Sequence, residues 1–404
     1  MPAPEAVLVL NSGSSSIKFG LFEIAASDPI LLCKGQLDEH EDKPRLVVKS
    51  TAGEDLFETR RDAADADGGH LFTDVLAFIE DRFGQGCLRA VGHRIVHGGP
   101  DHSGPVALTD EVTAKLEALT PLAPLHQPRC LAPVRTISAI RPALTQIACF
   151  DTAFHHGLAP PASRFAIPGR FETRGVRRYG FHGLSFEYVA RRLAEIAPEL
   201  AAKRTVIAHL GNGASLCALR DGSSVDTTMG LTPLDGLVMG TRCGTIDPGV
   251  LLYLQQHERM SVEEVQHLLY HQSGLLGVSG LSADMRTLLA SREPAAREAV
   301  DLFTFRAAQA IAMMATTLGG LDCLVFTGGI GEHAGEIRGA IGERLAWLGV
   351  CIDAAANAAA RERINDGDSA LEVLVIPTNE ELTIARHCAS VLRAMGAQAD
   401  KTVS

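Results

Sequence analysis

The sequence predicts an α/β protein made of two related lobes, and three observations carry that expectation. The first is an internal echo. Val7-Leu8-Val9-Leu10-Asn11-Ser12-Gly13-Ser14-Ser15-Ser16-Ile17-Lys18-Phe19-Gly20-Leu21-Phe22 is an apolar run, a tight Gly/Ser/Asn stretch and a second apolar run. Val206-Ile207-Ala208-His209-Leu210-Gly211-Asn212-Gly213-Ala214-Ser215-Leu216-Cys217-Ala218-Leu219 repeats the pattern half a chain later. Both stretches read as β-hairpins. The second observation is that strand-like and helix-like patterns alternate in both halves. The third is length: 404 residues exceed one typical core, so two or three domains are expected. Glycine and serine in a tight turn leave backbone N–H groups open to phosphate oxygens. One such hairpin per half points to a duplicated fold that closes on a nucleotide between its lobes.

The remaining elements follow in order. Leu46–Ser50 reads as a strand, 62–69 as a polar loop and Leu71–Phe83 as a helix. A buried strand then runs into the basic glycine turn Gly92-His93-Arg94-Ile95-Val96-His97-Gly98-Gly99. Thr109–Leu119 reads as a capped helix, and Ile147–Phe150 as a strand ending at Asp151. The segment Leu158–Gly183 is rich in Pro, Gly and Arg and has no helical period, so a domain change is placed near Asp151. Leu184–Leu200 is helical. Leu275–Arg286 carries glycine and serine turns, and Arg297–Leu318 is a long alanine-rich helix. Leu321–Glu332 is a buried strand entering a third glycine turn, and Leu371–Ile376 is another strand. Thr378-Asn379-Glu380-Glu381 reads as a capping box opening a last helix that could cross back to the first lobe. The first domain is therefore expected to span 1–151 plus 382–404, and the second 152–381. The tail Ala397–Ser404 is expected to fray.

Composition narrows the function. A formal net charge of −11 argues against a general nucleic-acid binder, although a few local arginines would still hold a small anion. The 9 cysteines show no Cys-x-x-Cys pair, which fits reduced, mostly buried thiols and a cytoplasmic location. Val7–Leu10 is too short for a secretory signal, and no apolar run is long enough to span a membrane.

Read singly, each glycine turn is a plain hairpin or strand–helix turn; together they could grip phosphates from two sides and admit a nucleoside. No Gly-x-x-x-x-Gly-Lys-[Ser/Thr] occurs, which excludes a P-loop. A strand followed by Gly-x-Gly-x-x-Gly is also missing, which weakens a dinucleotide-binding reading. Arg94 and Arg242 sit on glycine-bearing loops, where a planar guanidinium matches a carboxylate or a moving phosphoryl group; a salt bridge is the alternative. Asp151 ends a strand, a common catalytic position in such folds. His126 and His182 are either functional or hydrogen-bonded structural histidines. His155-His156 resembles a metal pair but has no third ligand at useful spacing. Glu380 or Glu381 could join a Mg²⁺ site that also takes phosphate oxygens, while at least one of them should cap the helix.

These segments resemble the acetate kinases of the acetokinase family, within the sugar kinase/Hsp70/actin superfamily. The resemblance rests on the motifs 11–18, 92–99, 150–155, 178–183, 209–213, 225–234 and 377–382, in order along nearly the whole chain. It implies duplicated actin-like (ribonuclease H-like) ATPase lobes with the nucleotide in an interlobe cleft. It also implies direct, in-line, reversible transfer of the ATP γ-phosphoryl group to acetate, giving acetyl phosphate and ADP with Mg²⁺, or Mn²⁺ in its place, in a cytoplasmic homodimer. Carried over by position, Arg94 and Arg242 would bracket acetate and the phosphoryl group. His182 would stabilise charge, and Asp151 would be the catalytic carboxylate and orient the arginines. His126 would support the acetate, with Val96, Leu125, Phe181 and Pro233 around its methyl. Asn11 and Glu380 would lie at the metal. Ser16, Lys18, His209, Leu210, Gly211, Asn212 and Gly213 would hold phosphates. Asp284, Met285, Arg286, Gly329, Ile330, Gly331, Glu332 and His333 would hold the nucleoside. The chain departs from the family pattern at Gln127, His156, Leu184, Asp235, Thr245 and His333. A kinase for propionate or another short acid is the neighbouring alternative. An Hsp70/actin-like scaffold is the alternative of another class, but no residues are left over for a peptide-binding or polymerising region.

Overall fold

Runs of branched and aromatic residues form the strands, and glycine and asparagine close the turns between them. The computed structural model describes residues 4–13, 16–24, 27–38, 44–60 and 68–403. Ser14, Ser15 and residues 62–67 of the expected polar loop lie outside the described residues. Backbone contacts divide the chain into Met1–Ala153 with Asn379–Ser404, and Phe154–Thr378.

The first unit holds strands β1 (Ala6–Ser12), β2 (Ile17–Glu23), β3 (Ile30–Asp38), β4 (Arg45–Ser50), β5 (Asp55–Arg60), β6 (Leu88–Ile95), β7 (Val106–Ala107) and β8 (Thr145–Phe150). Its sheet order is β5-β4-β3-β2-β1-β6-β8-β7. β1 and β2 form the first hairpin, with Ser12 opposite Ile17, while β1, β6 and β8 run parallel. Helix α1 (Gly68–Phe83) buries Leu71, Phe72, Val75, Leu76 and Ile79, one helical stripe, in the same core as Leu8, Leu10, Phe19 and Leu21. Helix α2 (Asp110–Ala118) is capped by Thr109, whose hydroxyl accepts from the Val112 N–H, and α3 (Gln127–Ile140) follows.

The second unit holds β9 (Thr205–Leu210), β10 (Ala214–Arg220), β11 (Ser223–Thr227), β12 (Cys323–Thr327) and β13 (Glu372–Val375), ordered β11-β10-β9-β12-β13. β9 and β10 form the second hairpin; β9, β12 and β13 run parallel. The segment β3-β2-β1-β6-β8 of the first sheet has the same pattern, three antiparallel strands followed by two parallel ones. Its helices are α4 (Gly183–Ile196), α5 (Pro198–Ala201), α6 (Pro248–Gln256), α7 (Val262–His271), α8 (Gly274–Ser279), α9 (Met285–Ala290), α10 (Pro294–Leu318), α11 (Gly328–His333), α12 (Gly335–Arg344) and α13 (Ala354–Ala358). Phe186, Val189 and Leu193 of α4 join Ile207, Cys217 and Val325 in one core cluster. α10 packs against β9, β10 and β11. The chain then returns to the first unit as α14 (Glu380–Val403), which lies on β1 and β6. Gly92 permits this contact, because a β-carbon there would overlap Cys388 and Ile384.

Leu275–Arg286 carries its glycine and serine turn at 280–284, between α8 and the start of α9, where Asp284 accepts from the Arg286 N–H and caps α9. Two local expectations need correction. The turn after β12 is helical at once, as α11. The last helix begins at Glu380 and its cap is Asn379, whose Oδ1 accepts from the Leu382 N–H at 3.0 Å, so Thr378 and Glu381 do not form a capping box. Helix α14 runs to Val403. All 9 cysteines are free thiols, and no helix of the described residues is long and apolar enough to cross a membrane.

Candidate functional site

In the first unit the C-terminal ends of β1, β6 and β8 bring Asn11, Arg94 and Asp151 together, and α14 adds Glu380. Asp151 is 1% exposed. Arg94 grips it as a fork: Nε lies 3.0 Å from Oδ1 and Nη2 lies 2.7 Å from Oδ2. Arg94 Nη1 donates to Asn11 Oδ1 at 3.1 Å and lies 3.5 Å from Glu380 Oε2. Asn11 Nδ2 donates to Glu380 Oε2 and to Glu381 Oε1, each at 3.3 Å. Glu381 is thus part of the polar cluster and not a helix cap. Burial opposes the Arg94 charge, but the Asp151 and Glu380 carboxylates outweigh it and hold its pKa well above the usual arginine range. Burial raises the Asp151 carboxyl while Arg94 pulls against it.

Behind the cluster, Gln127 fixes the strand-to-loop turn. Its Oε1 accepts from the His97 N–H at 3.1 Å, and its Nε2 donates to the carbonyls of His97 and Leu116, both at 3.0 Å. This departure from the family pattern is therefore fully used within the fold. Val96 is buried, and Leu125 and His126 are half-buried at the start of α3. Ser16 closes the first hairpin, its carbonyl accepting from the Gly13 N–H at 2.9 Å. Lys18 is exposed.

In the second unit the hairpin turn Gly211-Asn212-Gly213 meets a histidine and an arginine. A β-carbon at Gly213 would lie 2.9 Å from Arg242 Nη2 and 3.1 Å from His182 Nε2. Both groups therefore converge on this turn, and a side chain at 213 would have to push the Arg242 guanidinium aside. His182 precedes α4 with φ of 58°, the left-handed region that few non-glycine residues adopt. Its Nδ1 is 2.8 Å from Ser215 Oγ, and its ring stacks on His209 at 4.4 Å between centroids. His209 Nδ1 in turn is 2.8 Å from Ser185 Oγ. Arg242 Nη1 donates to the Pro233 carbonyl at 2.6 Å. Its loop is tied by Gly240 N–H to Asn212 O at 3.0 Å and by Thr241 Oγ1 to Tyr270 O at 2.8 Å. Two departures from the family pattern meet here: Thr245 Oγ1 donates to Asp235 Oδ1 at 2.7 Å. Phe181 and Pro233 are buried.

A cavity of about 620 Å³ opens beside this turn, lined among others by Gly211, Asn212, Asp284, Met285, Arg286, Gly329, Ile330 and His333. The Asp284 carboxyl is held down at about 2 by its hydrogen bond from Arg286. Gly331 and Leu210 are buried and do not line this cavity; Leu210 ends β9 inside the core. Glu332 faces the backbone instead, accepting from the N–H groups of Gly328 at 2.9 Å and Thr378 at 3.1 Å. His155 is buried against Ser224 Oγ at 2.8 Å, so it is not half of a metal pair.

Sequence reasoning missed Arg338. It is 1% exposed, and its guanidinium donates to the carbonyls of Gly331, Glu332 and Asn357 and to Asn357 Oδ1 at 2.6–2.9 Å, fixing α11 from below. No local pattern marks such a residue, because its partners are carbonyls whose positions only the fold sets.

The model of the acetokinase family matches residues 6–386. An acetate kinase of Rhodopseudomonas palustris (strain TIE-1) is 50% identical over 389 residues, covering 95% of this chain and 97% of that protein. A crystal structure of a propionate kinase from Francisella tularensis is 38% identical with a TM-score of 0.87, covering 95% of this chain and 98% of that one. The acetate kinase of Porphyromonas gingivalis is 36% identical with a TM-score of 0.85, covering 96% and 100%.

Proposed function

The chain belongs to the acetokinase family, and from that membership we propose that it transfers the γ-phosphoryl group of ATP to the carboxylate of acetate, reversibly, giving acetyl phosphate and ADP. One observation supports the chemistry most: the Arg242 guanidinium and the His182 imidazole converge on the glycine turn of the second hairpin. Phosphoryl transfer leaves little covalent work to a protein; it asks for positioning and for positive groups where charge develops. The attacking acetate oxygen forms the new bond to phosphorus as the bond to the β-phosphate oxygen breaks, and the leaving ADP carries the electron pair. Arg242 and His182 stabilise the equatorial oxygens. Arg94, held by the Asp151 fork, orients the acetate carboxylate with help from His126.

The turn residues Gly211, Asn212 and Gly213, together with Ser16, Lys18 and His209, hold phosphates. The cavity by Asp284, Met285, Arg286, Gly329, Ile330 and His333 is large enough for part of a nucleoside. Glu380 and Glu381 present two carboxylates beside the Asn11 amide, whose nitrogen donates to both and whose oxygen accepts from Arg94; the carboxylates are the hard oxygen donors that Mg²⁺ or Mn²⁺ takes. Those residues fit a divalent cation, which when bound would neutralise phosphate charge. A homodimer and a cytoplasmic location belong to the same proposal and rest on the family resemblance alone.

Relatives named for acetate and for propionate both match the chain, so the acid is the point to test. Acyl phosphate formed from ATP, Mg²⁺ and a series of short acids is trapped with hydroxylamine. Acetate should be used best. One extra methylene is worth about 1–3 kcal/mol in a closed pocket, so propionate should react about 10–200-fold less efficiently by kcat/KM. Val96→Ala should narrow that gap through KM. A wild-type preference for butyrate, or an unchanged profile in Val96→Ala, would remove Val96, Leu125, Phe181 and Pro233 from the acid pocket.

A further inference from the structure

Beneath the second unit's His182 lies a buried polar chain that the phosphoryl-transfer reading does not use. His155 is 1% exposed. Its Nε2 is 3.1 Å from the carbonyl oxygen of Phe181. A carbonyl only accepts, so Nε2 carries the ring proton and donates. Nδ1 is then an acceptor, and Ser224 Oγ, 2.8 Å away, donates to it. Cys217 Sγ donates in turn to Ser224 Oγ at 3.3 Å. Burial holds the ring's pKa down at about 4 and pushes the Cys217 thiol up to about 12, so both ends of the chain are neutral near pH 7. The partners leave the ring one tautomer and one orientation.

The ring also packs on the backbone. Gly180 has φ of 76°, and a β-carbon there would lie 2.6 Å from His155 Cδ2 and 2.6 Å from Thr227 Cγ2. Phe154 and Phe186 meet the ring edge-on at 5.7 and 5.4 Å between centroids. The Phe181 carbonyl and the His182 N–H share one rigid peptide plane. The torsion φ of His182 is the rotation that leaves that plane, and it sits at 58°. Holding the carbonyl therefore holds the plane from which His182 turns left-handed.

We propose that His155 is a positioning residue for His182: by gripping the Phe181 carbonyl it fixes the strained turn that aims the His182 imidazole at Gly213 and Arg242. The same β10 face braces both histidines, since Ser215 bonds His182 and Cys217 reaches His155 through Ser224. The inference rests on the reading of His182 as a group that stabilises transferring charge. A small displacement of such a group costs rate without weakening substrate binding in proportion.

The test is steady-state acetyl phosphate formation, with ATP and acetate varied separately, in wild type, His155→Phe, His155→Gln and Ser224→Ala, beside thermal melts. His155→Phe should lower kcat about tenfold to a hundredfold while KM for ATP stays within about twofold. His155→Gln keeps an N–H donor near the Nε2 position and should recover most of that loss. Ser224→Ala, which should fold whatever His155→Phe does, should lower kcat about threefold to tenfold with KM for ATP unchanged. Wild-type kcat in Ser224→Ala and His155→Phe would overturn the proposal. So would a loss that tracks the melting temperature, raises both KM values and is not recovered by Gln. A wild-type protein inactive on acetate would instead sink the kinase reading itself, a separate outcome.

Discussion

At the strand ends of the first unit, Arg94 is gripped by a buried carboxylate in a two-pronged fork and touched by an amide and a second carboxylate. At the strand ends of the second, Arg242 is held through a backbone carbonyl, beside imidazoles that lean on serine hydroxyls. Five strands of the first sheet repeat the order of the second, yet Arg94 is gripped by a carboxylate fork and Arg242 donates to a backbone carbonyl. The difference separates two ways of fixing a cation. A charged frame is interdependent, since removing one member leaves an uncompensated buried charge. The Pro233 carbonyl is an uncharged acceptor, and losing Arg242 leaves no buried charge on it.

The largest expected effect tests that contrast. Asp151→Ala should lower stability by about 3–5 kcal/mol and activity at least a hundredfold, because it strands the Arg94 charge. Arg242→Ala should cost a comparable factor in kcat, on the order of 3 kcal/mol, while changing stability by less than about 1 kcal/mol. Denaturant unfolding alongside kinetics reads both. Equal destabilisation by the two variants would break the comparison.

A smaller effect is common to both units. His93 in the first and His155 in the second are fully buried, and burial lowers each pKa from 6.5 to about 4. The unfolded chain then binds more protons than the folded one between those values. The stability each neutral ring contributes is complete above about pH 6.5 and declines as pH falls toward 4, by roughly 3 kcal/mol per ring at the limit. His93→Gln and His155→Gln should each flatten the fall in stability measured by urea unfolding between pH 7 and pH 4.5. An unchanged slope would mean that the ring is charged in the fold.

The hairpins, the strand before Asp151 and the long helix α10 were legible because their signals are local: apolar runs, a Gly/Ser/Asn turn, helical period. Asp284, Met285, Arg286, Gly329, Ile330 and His333 were legible as neighbours of one cavity only through family resemblance, since two distant stretches of chain build it. The helix start at Glu380 was misread because Thr378 and Asn379 are both good caps, and the choice between them depends on where the backbone first turns helical. Arg338, Gln127 and the His155–Ser224 bond were not legible as structural ties. Each depends on carbonyls or hydroxyls brought close by tertiary packing, for which a single sequence carries no period.

The central proposal is that Arg94 and Arg242 both act on the phosphoryl transfer. A double-mutant cycle on kcat for acetyl phosphate formation tests it most directly. Groups that stabilise one transition state are strongly non-additive, so Arg94→Ala combined with Arg242→Ala should lose far less than the product of the two single losses. Losses that multiply to within about 0.5 kcal/mol would mean that the two arginines act independently, and would contradict the account.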